Sequence, residues 1–440
     1  SEKRPAAGVG GGEGRARRES PGGGEPGATP GSPGRRGQRP GSTGHGRRDY
    51  SRLATREEIH DVPPEARVCP RCGTTFELFD SEDSEQVDWQ VTITRIVHRR
   101  LRYRRRCSCA DAGPRTLTAP ASKPVPKGRF TASFLARLLF EKYVLGRPLR
   151  RIAAALAADG FAVAEGSLCG ALAETAPLLA PLETAVVARN AEAAYLHADE
   201  TSWHVFEQVA GKEGHRWWLW VFLAGDTVVF RMDPTRSTAV LDRHLGIERT
   251  NADGTTQQDV ALPGGRHLLL SADFYTVYQA LGRVDGIDPL WCWAHIRRYF
   301  VRAGDAFAQL RPWRDLWLRR IGELYVAHRT LAAADPGSPA HGEARTAFET
   351  ALAAIDTARH ADMAIYSLHP AAKAVLATLD HEWDGLVRHR DAPDLDLDNN
   401  AAERALRNPV VGRKTYYGSQ TRWSARPGRP GLDHHRHRRT

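Results

Sequence analysis

The spacing of apolar positions changes several times along the chain, and those changes divide it. From 131 to 190 it is helical: Phe134, Leu135, Leu138, Leu139 and Tyr143 fall on one face of a first predicted helix. Gly146-Arg147-Pro148 breaks that helix, Leu149 to Ala158 predicts a second, Asp159-Gly160 a turn, and Glu165 to Ala180 a third. From 191 the pattern becomes that of strands. Residues 194–199 predict one strand, Trp217 to Leu223 a second, Thr227 to Met232 a third, His267 to Asp273 a fourth and Leu290 to Trp293 a fifth. Pro234 to Ser237 turns into a helix reaching Leu245, and the fifth strand runs into a helix over Ala294 to Phe300. Residues 300–395 then carry Leu and Ala at helical spacing with few strand signals. Strands alternating with helices predict an α/β fold on a mixed sheet, interrupted by one long helical block.

Two segments precede this core. The lead-in, residues 1–52, predicts disorder, because its first 50 residues hold 15 of the 40 Gly and almost no large apolar side chain. Its Arg-rich end, Arg35 to Arg48, suits DNA phosphates or a merely solvated tail. Residues 60–120 predict a small module around Cys69-Pro70-Arg71-Cys72 and Cys107-Ser108-Cys109. Between the pairs, Gln90 to Val97 alternates as a strand and is followed by the basic run Arg99 to Arg106. Two thiolate pairs brought together by a hairpin offer four soft ligands for a structural, tetrahedral Zn²⁺, with His98 as a substitute ligand. The alternative is two unrelated Cys pairs. In the 130–190 region, helix, turn and helix outline a helix-turn-helix in which Arg147, Arg150 and Arg151 would face a duplex, the alternative being a hairpin packed on the core.

The formal net charge of +10 and a sequence pI near 9.5 favour a polyanionic partner. Of the 62 basic residues only seven are Lys, so part of this charge reflects an Arg-rich composition. No run of about 18 apolar residues and no secretory leader is visible, which predicts a cytoplasmic protein with no membrane span. The remaining cysteines, Cys169 and Cys292, stand alone and read as reduced thiols. The chain opens on Ser1 rather than Met, from which a natural start further upstream is an expectation.

Three acidic residues stand where local patterns break. Asp199 ends the run Tyr195-Leu196-His197-Ala198, Asp273 ends Leu268-Leu269-Leu270-Ser271-Ala272, and Glu403 lies in a helix start that Asp398 or Asn399 can cap. Carboxylates at the ends of neighbouring strands have fixed backbones and exposed oxygens, so with a third on a helix they suit divalent metal ions for phosphoryl transfer. Each also has a plainer reading. An Asp after a strand is often a loop residue, Glu403 can pair with Arg407 four residues on, and Glu200 and Asp398 are alternative ligands.

His197-Ala198-Asp199-Glu200-Thr201, Ser271-Ala272-Asp273-Phe274-Tyr275, Cys292 to Phe300, and Asp398 to Arg407 followed by Gly412-Arg413-Lys414 resemble blocks of the insertion sequence 66 transposase family. The resemblance covers about residues 35–423, including the Cys-Pro-Arg-Cys-Gly module. It implies an RNase H-like catalytic domain over 191–423 with a helical insertion at 300–395, preceded by a zinc-binding module and a helical DNA-binding region. It further implies Asp199, Asp273 and Glu403 as ligands of Mg²⁺ (or Mn²⁺), and favours Asp199 over Glu200. His295, Arg297, Arg298, Arg407, Arg413 and Lys414 become candidates for contacting DNA, with support of the sheet as the equal alternative for His295, Arg297 and Arg298. The implied partners are double-stranded DNA of the element's terminal inverted repeats and target, a second copy of the chain on that DNA, and helper proteins of the same element. The chain departs from the pattern after Ala425, where residues 424–440 are basic and lack a helical period. They read as a frameshifted or truncated tail, or a natural extension. A catalytically defective remnant that only binds DNA is therefore the alternative function, and a nuclease or resolvase on the same fold a third.

Overall fold

The structure is a computed structural model that describes residues 52–84, 86–88, 90–107, 113–208, 211–249, 260–416 and 419. Residues 1–51 of the lead-in and the tail 424–440 lie outside the described residues. The chain divides into two compact units, residues 1–88 and 89–440. In the first, the described residues form a short 3-10 turn, Pro64–Ala66, and a tight loop closed by a bridge between Val68 and Thr75.

The second unit begins with a hairpin of β1 (Arg102–Arg104) and β2 (Thr116–Thr118). The strand expected over Gln90 to Val97 does not form. Alternation alone does not make a strand without a partner to receive its hydrogen bonds, and the pairing falls instead within the basic run.

Helices α1 (Ala132–Leu139), α2 (Leu149–Ala158) and α3 (Glu165–Ala191) follow. The Thr131 hydroxyl caps α1 by accepting from the Phe134 N–H, and Gly146, at φ +63°, turns the chain before Pro148 opens α2. Leu135, Leu138, Ile152, Leu168 and Leu172 close a small core of their own. Helix α3 outruns its expected end at Ala180 and continues through Pro177 and Pro181. Its far end is held by tertiary bonds: the Asn190 amide donates to the Phe222 and Thr227 carbonyls, and its oxygen bonds His244 Nε2 at 2.8 Å. By length and composition α3 would suffice to cross a membrane, contrary to the expectation from apolar runs. Its two ends are instead built into protein cores.

Five strands make the sheet: β3 (Tyr195–His204), β4 (Arg216–Ala224), β5 (Thr227–Asp233), β6 (Leu268–Ala272) and β7 (Ile287–Trp291). Their spatial order is β5-β4-β3-β6-β7, antiparallel among the first three and parallel for the last two. Strand β3 is longer than its apolar run, because β4 pairs with it from His197 to His204. Asp199 therefore sits within a strand and not at its end. Strand β7 ends earlier than expected, since Cys292 already caps the next helix.

Helix α4 (Thr238–Leu245) and helix α5 (Thr276–Leu281) flank the strands, and α6 (Trp293–Ala306) follows β7. The long helical block is α7 (Arg311–Ala333), α8 (Pro339–Met363), α9 (Pro370–His381) and α10 (Trp383–Val387). Helix α11 (Asn400–Tyr416) follows, and Ser419 beyond it bridges to Val205.

The pleat sends alternate side chains to opposite faces. One face carries Leu196, Ala198, Trp220, Phe222 and Leu270 into the large core, which runs on without a break into Trp317, Phe348 and Leu376 of the helical block. The other face carries Trp203, Val205, Trp217, Leu219 and Val221, covered by Ala402 and Leu406 of α11. Truncating Leu406 would leave a cavity between α11 and two tryptophans. Leu406→Ala is expected to cost about 2–5 kcal/mol in urea unfolding, and an unchanged midpoint would mean that α11 does not hold this face.

Candidate active site

Strands β3 and β6 pair in parallel with a constant offset, Tyr195 beside Leu269, Leu196 beside Leu270 and His197 beside Ser271. The same offset carries Asp199 to Asp273. Adjacent strands lie about 4.8 Å apart, so the two aspartates start as neighbours. By parity both belong to the face that α11 covers. Asp273 stands one residue beyond β6, where its Oδ1 accepts from the Tyr275 N–H at 3.0 Å and opens the turn into α5. Asp199 Oδ1 accepts from the Glu200 N–H at 2.8 Å.

Glu403 is brought to the same place by α11, and the seating of that helix rests on Asn399. Its Nδ2 donates to the Ala198 carbonyl at 2.8 Å, its Oδ1 meets His197 Nδ1 at 2.9 Å, and its backbone N–H donates to Cys292 Sγ at 3.1 Å. Asn399 is buried, 1 % exposed, and its side chain is engaged elsewhere, so of the two expected caps it is not the one used. Asp398 takes that part, its Oδ1 accepting from the Asn400 N–H at 3.0 Å. Neither His197 nor Asn399 stood out in the sequence as part of the site. The available signal was a His inside an apolar strand and an Asn between two residues that can cap.

Glu403 Oε1 faces Arg298 at 3.7 Å and His295 at 3.8 Å, both from α6, and not Arg407. His295 and Arg298, expected at DNA, thus stand beside the third carboxylate. Burial holds the His295 imidazole below its ordinary pKa, which favours the neutral ring. Arg413, also expected at DNA, is occupied by β3. It donates to the Ser202 carbonyl and lies over the Trp203 ring at 5.9 Å. Arg297, Arg407 and Lys414 are exposed, and Arg297 lines an open groove of about 1000 Å³ with Arg319, Arg329 and Tyr325 of α7.

Glu200 points the other way. Its buried carboxylate takes hydrogen bonds from Arg236 Nε at 2.7 Å and from the Tyr278 hydroxyl, while Arg236 stacks 3.6 Å over the Tyr275 ring. It is an internal brace, so the pleat separates two adjacent acids into different jobs.

Asp199 is the electrostatic centre of the site. Burial pushes its pKa up to about 8, and the negative charges of Glu200, Asp273 and Glu403 push in the same direction, against the Glu200 N–H. A buried carboxylate surrounded by carboxylates is short of positive charge, which is the donor set a hard divalent cation takes. The geometry is open: among the described residues no three His, Cys, Asp or Glu side chains converge closely enough to enclose a metal ion. Glu403, which faces Arg298 and His295, would have to move in to complete such a set.

Cys69 and Cys72 form a tight knuckle. The Cys69 N–H donates to the Thr74 carbonyl at 2.8 Å, the Gly73 N–H to the Cys69 carbonyl at 2.9 Å, and Gly73 takes φ +76°. Hydrogen bonding with the Thr74 hydroxyl, then the Thr74 backbone, then the Cys69 side chain brings the Cys72 thiol down to about 7, within reach of thiolate at neutral pH. Cys107 is exposed and belongs to the second unit, and Cys109 lies outside the described residues.

A family model described as Transposase IS66 family matches residues 127–427, which include all three carboxylates and the helical block. The chain belongs to the IS66 transposase family. Three curated relatives, all from Sinorhizobium fredii (strain NBRC 101917 / NGR234), are named as uncharacterized proteins. They are y4hP at 23% identity (83% of this chain, 66% of the relative), y4jD at 25% (80% and 67%), and y4qI at 27% (56% and 44%). The chain thus spans about two thirds of the length of two of these relatives and less than half of the third. Within the family frame, the pair Asp199 and Asp273 and the α11 carboxylate occupy one end of one sheet face.

The raised Asp199 pKa has a sign that can be measured. The neutral acid is favoured in the fold, so its contribution is fully present below the unfolded value near 4 and is lost as pH rises through about 8. In divalent-free buffer at pH 8–9, Asp199→Asn is expected to be more stable than the parent by on the order of 2–5 kcal/mol. The advantage should shrink toward pH 4. Equal unfolding midpoints across this range would show that Asp199 is not in a crowded negative site.

Proposed function

We propose that the chain is a DNA transposase, with an RNase H-like core over residues 191–423 and the helical insertion between its second and third carboxylates. The reading rests on one observation above the others: parallel pairing puts Asp199 level with Asp273 on the face where α11 presents Glu403. The mixed five-stranded sheet and the family membership support it.

In this reading the three carboxylates hold Mg²⁺ or Mn²⁺. Bound there, the ions supply a nucleophile, from water or a 3′-hydroxyl, and stabilise the leaving oxygen of a phosphodiester. Asp199 and Asp273 offer oxygens from a rigid sheet, with the second oxygen of each free of hydrogen bonds to the described residues. Glu403 contributes from a separate helix, and Arg298 and His295 steady it until the site is loaded. Arg297, Arg407 and Lys414 are exposed and form no ion pair among the described residues, which leaves their charge for the DNA backbone. The DNA would be the element's terminal repeats and then the target, with a second copy of the chain and helper proteins assembling on it. A cytoplasmic protein that is nucleoid-associated when bound fits this use. Zn²⁺ on Cys69, Cys72, Cys107 and Cys109 would be structural, because four thiolates leave no open position.

Asp199→Asn, Asp273→Asn and Glu403→Gln are each expected to reduce Mg²⁺-dependent cleavage and joining by roughly three orders of magnitude or more, with DNA binding retained. Full cleavage by any one removes that residue from the site. Binding by the unsubstituted chain with no divalent-dependent cleavage would identify it as a remnant, and cleavage without joining as a nuclease or resolvase. Elemental analysis of the purified chain should find about one Zn²⁺ per copy, the capacity of a single four-thiolate site, lost in Cys72→Ser. A zinc-free chain with four reduced thiols would overturn the zinc assignment.

A further inference from the structure

The basic run Arg99 to Arg106 plays no part in the site. Six of its eight residues are Arg. The structure folds it into the first strand of the β1–β2 hairpin, with Arg102 opposite Thr118, Tyr103 opposite Leu117 and Arg104 opposite Thr116. Backbone bonds extend the ladder at both ends, Arg105 N–H to the Arg115 carbonyl at 3.0 Å and Ala119 N–H to the Leu101 carbonyl at 2.9 Å. Arg100 Nε braces it by donating to the Ala119 carbonyl at 2.6 Å. The pleat then places Arg102, Arg104, Thr116 and Thr118 on one face, and Tyr103 and Leu117 on the other. Both faces are open: all six of these residues are exposed.

Among the described residues none of Arg99, Arg100, Arg102, Arg104, Arg105, Arg106 or Arg115 forms an ion pair. Arginines of the core are used differently: Arg236, Arg249 and Arg359 are each paired with a carboxylate. A ribbon with seven arginines and no acid partner among the described residues has the electrostatics of a polyanion site.

Resting on the transposase reading, we propose that the β1–β2 hairpin enters the major groove of duplex DNA, with Arg102 and Arg104 on base edges and the outer arginines on phosphates. The B-DNA major groove, about 12 Å wide, admits a two-stranded ribbon. Same-face residues two apart on a strand are separated by about 6.7 Å, two base-pair steps of about 3.4 Å. An Arg fork matches guanine O6 and N7, and the Thr methyls beside it match thymine methyls. The ribbon would therefore read alternate base pairs, a task for which the carboxylate site has no groups. Duplex is favoured over single strands because the face bearing the arginines has no aromatic ring on which to stack a base.

The test uses the full chain carrying Asp199→Asn, without divalent ions, so that cleavage plays no part in the readout. Its probes are duplex fragments of the DNA flanking the chain's own reading frame and scrambled duplexes of equal composition. The background chain is expected to prefer a flanking fragment. Arg102→Ala with Arg104→Ala should weaken binding to it and erase the preference, and Arg102→Lys with Arg104→Lys should keep the salt dependence but lose roughly ten- to a hundredfold of the preference. Dimethyl sulfate footprints should show guanine N7 protection in the background chain and not in either variant. Matched unfolding midpoints would establish that both variants fold. The proposal is overturned if the Lys variant discriminates like the background chain, which would mean phosphate contact only. It is equally overturned if no fragment is preferred, or if single strands of the same sequence bind as tightly. None of these results bears on the carboxylates, whose test is cleavage.

Discussion

The side chain of Asn399 decides where the last carboxylate of the site comes to rest. It is buried at the junction of β3, α6 and α11, where it spends its amide on the Ala198 carbonyl and its oxygen on His197. A buried amide left unpaired costs a few kcal/mol, so this position has one satisfactory seat. With Asn399 fixed, helical geometry does the rest. Ala402, Glu403 and Leu406 follow at three, four and seven residues, along one stripe of the helix. Ala402 and Leu406 go into the apolar face of the sheet, and Glu403 falls beside them at its edge.

The sheet determines the other half. Parallel pairing of β3 with β6 holds Asp199 and Asp273 level, and the partnership ends at His197 and Ser271, just short of both. The carboxylates emerge where the two strands part, with backbone fixed on one side and open space on the other. The pleat assigns roles within a single strand: Asp199 faces α11 while Glu200, its neighbour, is locked to Arg236 and Tyr278 on the far face. The Glu200 charge is nonetheless felt through the strand, and adds to the burial that keeps Asp199 protonated. The helical block serves the same end indirectly. Its core is continuous with that of the sheet, so α6, which carries His295 and Arg298, is clamped between them.

Much of this was legible in residue order. Helices α1 and α2, the five strands and the helical block follow from periodicity, since a 3.6-residue or two-residue repeat is a local property of the chain. The departures have tertiary causes. Strand β3 runs past its apolar stretch because β4 pairs with it. Helix α3 runs past two prolines because Asn190 and its neighbours tie its end to the sheet. The strand expected over 90–97 does not form, and the described ladder begins instead at Arg102. His295 and Arg298 read as contacts for phosphate or as supports of the sheet, and Arg413 as a cation held near the carboxylates; that the first two stand beside Glu403 and the third on the Ser202 carbonyl and the Trp203 ring is set by long-range packing that residue order does not display.

By itself the sequence determined the family, the candidate trio of acids, and the basic and cysteine-bearing segments ahead of them, because each is a matter of residue type and spacing. Only the tertiary structure decided that Asp199 and Asp273 share a register and a face, that Glu200 does not join them, and that Glu403 is held by α6 and not by Arg407. Those outcomes depend on contacts between positions 36 to 108 residues apart. Which of many possible long-range pairings forms is settled by pleat parity, by the burial of Ala402 and Leu406, and by the need to satisfy one buried asparagine.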